Sequence, residues 1–200
     1  MLFRSALEAR LAELRTRAQF DQLATTALES YGPELYGFMQ HVTGDATAAA
    51  EVFSQTIEDF WRGLPGFQGR CAVRTWLYVL THSAIARYRR SPWNRVRTGD
   101  SALEDMIATA HSRTSPWQRT DIKDKWRELR DSLDPDDRAL LVLRIDRGLD
   151  WIEVSRVMLA DADADTASLE RESARLRKRF QKLKEELRER AREAGLVGGE

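Results

Sequence analysis

The stretch FQGRCAVRTWLYVLTHSAIARYRR, Phe67 to Arg90, decides the reading of this chain. Lys plus Arg and Asp plus Glu number 32 each, so the formal net charge is zero. The charges are nevertheless sorted along the sequence. From Trp61 to Gly99 there are eight arginines and no acid, and from Asp21 to Phe60 seven acids and no Lys or Arg. At about 100° per residue, Val73, Leu77, Leu80 and Ala84 share one helical face. Thr75, Tyr78, His82 and Arg89 lie opposite, with Arg74 and Arg90 on the shoulders and Trp76 and Tyr88 at the margins. Arginines interleaved with aromatics suit single-stranded nucleic acid, because guanidinium groups neutralise phosphates and rings stack on bases. Trp76 taken alone is equally well read as a core residue.

Working outward, the pattern stays helical. Leu2 to about Ser30 is amphipathic, and YGPELYGFMQHV breaks and restarts a helix with Pro33 in its first turn. Gly44 and Asp45 stop that helix and cap the next, in which Val52, Phe53, Ile57, Phe60 and Trp61 recur at helical spacing. Pro92, Gly99 and Pro116 then punctuate a segment without periodicity, read as a flexible linker with one helical turn near Leu103. Beyond it come a helix over Asp121–Ser132, a second capped by Asp134 and stopped by Gly148, and a short third with Asp150 at the N-cap and Glu153 at N3. A long basic helix closes the chain. Residues 171–192 hold ten basic and four acidic residues, and Leu176, Phe180, Leu183 and Leu187 form the buried stripe. The fold class expected is all-α: two small helical domains joined by a flexible linker, the C-terminal one a helix-turn-helix.

On the outward side of the last helix lie Ala174, Arg175, Lys178, Gln181 and Lys182, and Arg, Lys and Gln there suit phosphates and base edges in a major groove. The same stripe, extended back to Leu169, also fits a short coiled coil, and GLDWIEV tips the balance to helix-turn-helix. The turn before that helix is longer than usual. Its Asp161, Asp163 and Asp165, with Glu172, fall at calcium-loop spacing, but Thr166 stands where the loop wants Gly, so an acidic solvated loop is the expectation. No enzyme is expected: His41, His82 and His111 are far apart in sequence, and no catalytic motif occurs. Cys71 stands alone, which rules out an internal disulfide and suits a reducing cytoplasm. No cofactor, metal or membrane insertion is expected, since no apolar run approaches the ~18 residues of a membrane span.

The two halves together resemble the bacterial RNA polymerase sigma factors of the extracytoplasmic-function type. The stretches that carry the resemblance are YGPELYGFM with the following GD, EVFSQTIEDFWRGLPGFQG, RTWLYVLTHSAIARYRR, and LDPDDRALLVLRIDRGLDWIEVSRVM with ARLRKRFQKLKEEL. The resemblance implies a region 2-like domain over 1–95, a linker over 96–120 and a region 4-like domain over 121–200. It implies a cytoplasmic initiation factor whose partners are core RNA polymerase, promoter DNA and an anti-sigma factor. Glu51, Gln55, Glu58, Asp59 and Trp61 would face the polymerase. Arg74, Thr75, Trp76, Tyr78, His82, Arg89 and Arg90 would melt and hold the −10 strand, and Ala174, Arg175, Arg177, Lys178, Gln181 and Lys182 would lie on the −35 element. Departures from the family pattern are Ala86 and Arg87 where relatives carry an acid, His82 for Asn, and Asp134 for proline.

Charge segregation would let an acidic surface dock on one partner while an arginine surface grips nucleic acid. The lobes of the free protein would have no fixed spacing until polymerase sets it. The alternative is a stand-alone helix-turn-helix regulator, a symmetric dimer that would leave the arginine-aromatic helix unassigned. A coiled-coil adaptor is a third reading, and it predicts no salt-dependent DNA binding.

Overall fold

The computed structural model describes residues 2–91, 128–129 and 132–196. The linker expected over 96–120, with its turn near Leu103, and nearly all of the helix expected over Asp121–Ser132 lie outside the described residues. Among those described there are seven helices and no strand: α1 (Leu2–Thr16), α2 (Phe20–Thr43), α3 (Ala46–Gly63), α4 (Val73–Arg90), α5 (Pro135–Leu141), α6 (Trp151–Met158) and α7 (Thr166–Glu193). The all-α expectation holds.

Local signals account for most boundaries. Gly44 takes a left-handed φ of 71° to end α2, and the Asp45 carboxylate accepts the N–H groups of Thr47 and Ala48 to start α3. Asp134 caps α5 with Pro135 in its first turn. The Asp150 carboxylate and Glu153 cap α6 reciprocally, each accepting from the other's end of the turn. α5 widens into a π-turn over Val142–Asp146, where Arg147 N–H reaches back to the Val142 carbonyl at 2.9 Å, before Gly148 at φ 66° reverses the chain.

Three expectations are corrected. The first amphipathic stretch is two helices, separated at Arg17–Gln19 with Ala18 at φ 55°, a conformation that costs a non-glycine residue energy and that no Gly or Pro announces. Pro33 does not restart a helix but lies inside α2. Its missing N–H leaves the Glu29 carbonyl without that bond, and Glu29 is exposed, so water can take its place. The last helix begins at Thr166, where the Asp165 carboxylate accepts the Ser168 N–H and hydroxyl, so the acidic stretch is its cap as well as its turn.

α1 to α4 form one lobe around Leu11, Leu23, Leu35, Phe38, Phe60 and Leu77, all buried. α5 to α7 form the second, in which Leu169, Leu176, Phe180 and Leu183 of α7 turn inward and Trp151 meets Phe180 edge-on at 5.5 Å. The lobes are not held apart. α6 packs on α4 and α5 on α2, and the buried apolar side chains of both lobes make one contiguous cluster.

Candidate nucleic-acid interface

α4 is buried on both sides. Its apolar face packs on α1, α2 and α3, and the face carrying Thr75 meets α6. The N-terminus of α4 has no cap of its own. Glu8 of α1 supplies one, accepting the N–H of Val73 at 2.8 Å and of Arg74 at 3.0 Å, together with the Tyr31 hydroxyl at 2.7 Å. Burial, followed by the Glu8 hydrogen bond and charge, pushes the Tyr31 phenol well above its ordinary pKa.

The residues expected to hold the −10 strand divide into two groups. Arg74, Thr75, Trp76 and Tyr78 are all buried. The Arg74 guanidinium donates to both oxygens of Glu34, at 2.6 and 3.3 Å, and to the Arg147 carbonyl of the second lobe at 3.0 Å. Burial works against its charge, but the Glu34 pair outweighs it, so its pKa is raised. The Thr75 hydroxyl donates to Glu153 at 2.8 Å, again across the lobes. Trp76 stacks on Phe67, with centroids 4.2 Å apart and planes within 5°, and leans on Phe60. A Cβ at Gly63 would come within 2.9 Å of its ring. Of the two readings of Trp76, packing is the one realised here. Tyr78 is fully buried, edge-on to Phe38 at 5.2 Å. His82 is half-buried, while Arg89 and Arg90 are exposed at the C-terminal end.

Separation of charge along the chain does not become separation in space. Arg62 pairs with Glu58, Arg74 with Glu34, Arg87 with Asp59, and Arg70 with Asp163 at 3.6 Å. Arg89 comes within 3.7 Å of Asp136. Arg74 and Arg87 reach acids of the acid-rich segment, and Arg70 and Arg89 reach acids of the second lobe.

On α3, Glu51, Glu58 and Trp61 are exposed, Trp61 at 44%. Glu51, Gln55 and Glu58 fall in one narrow sector of the helix with Trp61 at its edge. Gln55 and Asp59 are half-buried: Gln55 donates to Asp59 at 3.1 Å, and Arg87 holds the other Asp59 oxygen.

α7 differs from α4. Ala174, Arg175, Arg177, Lys178, Gln181 and Lys182 are all exposed along its outer side. Arg175 is held by Glu172 at 2.6 and 2.8 Å, and Arg179 by Asp137 with two bonds of 2.7 Å. Both carboxylates raise the pKa of their arginines. Glu172 therefore sits within a helix on an arginine and Asp165 on a helix N-terminus, which employs two of the four carboxylates at calcium-loop spacing otherwise. Burial pushes the Cys71 thiol up to about 11, which works against formation of a reactive thiolate.

Sequence reasoning missed Glu8, Glu34 and the cross-lobe use of Arg147. It placed Glu153 only as a helix cap, although its second oxygen reaches Thr75. A carboxylate on a helix face carries no mark of a partner 40 to 78 residues away, so no local signal was available for these.

Residues 27–95 match the Sigma-70 region 2 family. The chain is 23% identical over 159 residues to the RNA polymerase sigma factor YlaC of Bacillus subtilis (strain 168), an alignment covering 79% of this chain and 92% of that protein. These matches support an RNA polymerase sigma factor that acts in transcription initiation.

Proposed function

We propose that this sigma factor docks on core RNA polymerase through the outer face of α3, through Glu51, Gln55, Glu58, Asp59 and Trp61, and presents two helices to promoter DNA. α7 reads the −35 element through Ala174, Arg175, Arg177, Lys178, Gln181 and Lys182. α4 melts and holds the −10 strand with Arg74, Thr75, Trp76, Tyr78, His82, Arg89 and Arg90. Trp76 and Tyr78 then act from within the lobe, setting the helix rather than stacking on bases. The domain limits proposed are 1–95 for polymerase docking and −10 work, 96–120 as linker, and 121–200 for the −35 element.

The observation that carries this reading is the outer side of α7. Its polar residues are exposed in a row, while Leu169, Leu176, Phe180 and Leu183 are buried beneath them. A basic, unobstructed helix face behind a short capped helix is what a major groove admits. The factor performs no chemistry of its own in this scheme and acts in the cytoplasm, where the polymerase is. No described helix is long and apolar enough to cross a membrane. An anti-sigma factor remains a proposed partner, detectable as a protein that co-purifies and blocks polymerase binding.

A titration of labelled protein with core polymerase, in moderate and in high salt, tests the docking face. Saturable one-to-one binding is expected, lost in the double variant Glu51→Arg, Trp61→Ala. Binding unaffected by that variant would move the docking face elsewhere. A monomeric mass for the free chain would set aside the symmetric-dimer regulator.

A further inference from the structure

The recognition helix of a helix-turn-helix enters the major groove by its N-terminal turns. In α7 the exposed row from Ala174 to Lys182 has one more turn before it on the same side. Thr166 opens the helix, so Glu170 and Arg171 stand in its second turn, and both are exposed. At about 100° per residue, Glu170 falls within about 40° of Ala174 and about 20° of Gln181 around the axis. It occupies the middle of the outward row, and it is an acid.

Three acids stand at this end of α7, and they are used differently. Asp165 caps the helix, its carboxylate accepting from the Ser168 N–H and hydroxyl. Glu172 is turned back onto Arg175, with bonds of 2.8 and 2.6 Å, and its side chain is only 11% exposed. Glu170 makes no hydrogen bond or ion pair among the described residues. Arg171 leans away from it onto the Ser168 hydroxyl at 3.1 Å. The positions three and four away from Glu170 are Thr166, Ala167, Ser173 and Ala174, so no Lys or Arg stands one turn off to neutralise it.

On a surface that meets phosphates, such a carboxylate repels DNA of every sequence, while the six Lys and Arg side chains of 171–182 attract it. Only a donor on a base edge offsets that repulsion. Cytosine presents its N4 amino group to the major groove with no acceptor of its own beside it. Adenine sets N7 next to its amino group, and guanine and thymine present acceptors. Ala174, one turn on, ends at Cβ and leaves the carboxylate room to reach a base.

We propose that Glu170 is a specificity-determining residue of α7, accepting a hydrogen bond from the N4 amino group of a cytosine in the −35 element. This rests on α7 being the helix that reads that element. The carboxylate lowers affinity for duplex DNA in general and recovers part of it only where a C·G pair stands beneath it, so wrong sequences are rejected as well as the right one held. The basic residues grip the duplex, and Glu170 selects among the duplexes gripped.

The test uses the full-length chain saturated with core RNA polymerase and a pool of duplex promoters randomised over the −35 element. Retained DNA is sequenced for the wild type, Glu170→Ala and Glu170→Gln. The wild type is expected to enrich C at one position by about tenfold over G or T. Glu170→Ala should lose that preference at that position alone, and bind promoters with another base there more tightly than the wild type does. Glu170→Gln, which adds an amide donor beside its carbonyl, should move the preference there from C towards A. A merely structural role for Glu170 would weaken all sites alike and leave every base preference in place. Wild-type preferences that both variants leave unchanged at every position overturn Glu170 as a reader while α7 stands. A preference lost at a position where the wild type selects G or T contradicts the contact with cytosine. A wild type that enriches no −35 sequence overturns α7 as the reading helix, and Glu170 with it.

Discussion

α4 and α7 are both rich in arginine, yet the structure treats their polar faces in opposite ways. On α4 the polar face is sealed: Arg74 by Glu34 and Arg147, Thr75 by Glu153, Trp76 by Phe67. On α7 the corresponding row, from Ala174 to Lys182, is exposed, with Arg175 held by Glu172. Arginine-aromatic composition marks what a helix can bind, not whether that surface is available. Availability depends on what the rest of the chain lays over it, and here that is Glu34 and Phe67 of the first lobe together with Arg147 and Glu153 of the second.

The largest effect that would separate the two helices is on stability. Trp76→Ala should cost about 3–5 kcal/mol, because it empties a site between Phe60 and Phe67. Lys178→Ala should stay within about 0.5 kcal/mol. Thermal melting of both variants decides it. An undisturbed melt for Trp76→Ala would restore that ring to the list of surface stacking groups.

Next comes the charge held inside. Glu34→Ala leaves the Arg74 guanidinium, only 9% exposed, without its carboxylate, which should cost about 3 kcal/mol in urea unfolding. A loss below about 1 kcal/mol would mean that Arg74 turns out to solvent and that its burial is not a commitment of the fold.

How much of this was legible beforehand follows from range. The caps at Asp45, Asp134 and Asp150 and the stops at Gly44 and Gly148 are written in a few adjacent residues, and each stands where the sequence puts it. The break at Ala18 has no such mark, and Pro33, a strong mark, is overridden because α2 is anchored on both sides of it by Leu23, Ala27, Leu35 and Phe38. Thr75 and Glu153 look like solvent-facing polar residues on two amphipathic helices. Only their meeting across 78 positions joins them in a hydrogen bond between the lobes. Sorting of charge along the chain read as two separate surfaces, whereas folding brings the two signs together at Arg87–Asp59 and Arg74–Glu34.

A gentler probe is acid. Burial lowers the His82 pKa, with Asp136 of α5 pulling it up and Arg89 pushing it down, and its Nδ1 atom has no hydrogen-bond partner among the described residues. A histidine depressed in the folded state contributes stability that is complete above its ordinary value of about 6.5 and is lost as pH falls below that towards the folded value. The melting temperature should accordingly decline from about pH 7 downwards, and His82→Gln should flatten that part of the profile. An identical decline in the variant would assign the titration to another group.

On α7 the expected change is in binding alone. Lys178→Ala should weaken duplex binding at every sequence and reduce the salt slope by about one ion, measured by anisotropy across a salt series. A slope equal to that of the wild type would take Lys178 off the phosphates. Smallest of all is the acidic loop. It touches the first lobe through the exposed Asp163 and Arg70 contact, so replacing Asp161, Asp163 and Asp165 by Asn should shift stability and single-strand affinity little. Asn can still cap α7 at 165. A large gain in single-strand affinity would give the loop more weight than Glu153 in holding the lobes together.

The most direct test of the contrast between the covered and the open helix is a distance between the lobes. With Cys71 replaced by Ser, dyes at Glu29 and Glu189, both exposed, report it by energy transfer in the otherwise intact chain. Short transfer distance in the free protein, lengthening on saturation with core RNA polymerase, is the predicted result. A distance that is already long in the free chain, or one that polymerase leaves unchanged, would contradict the account.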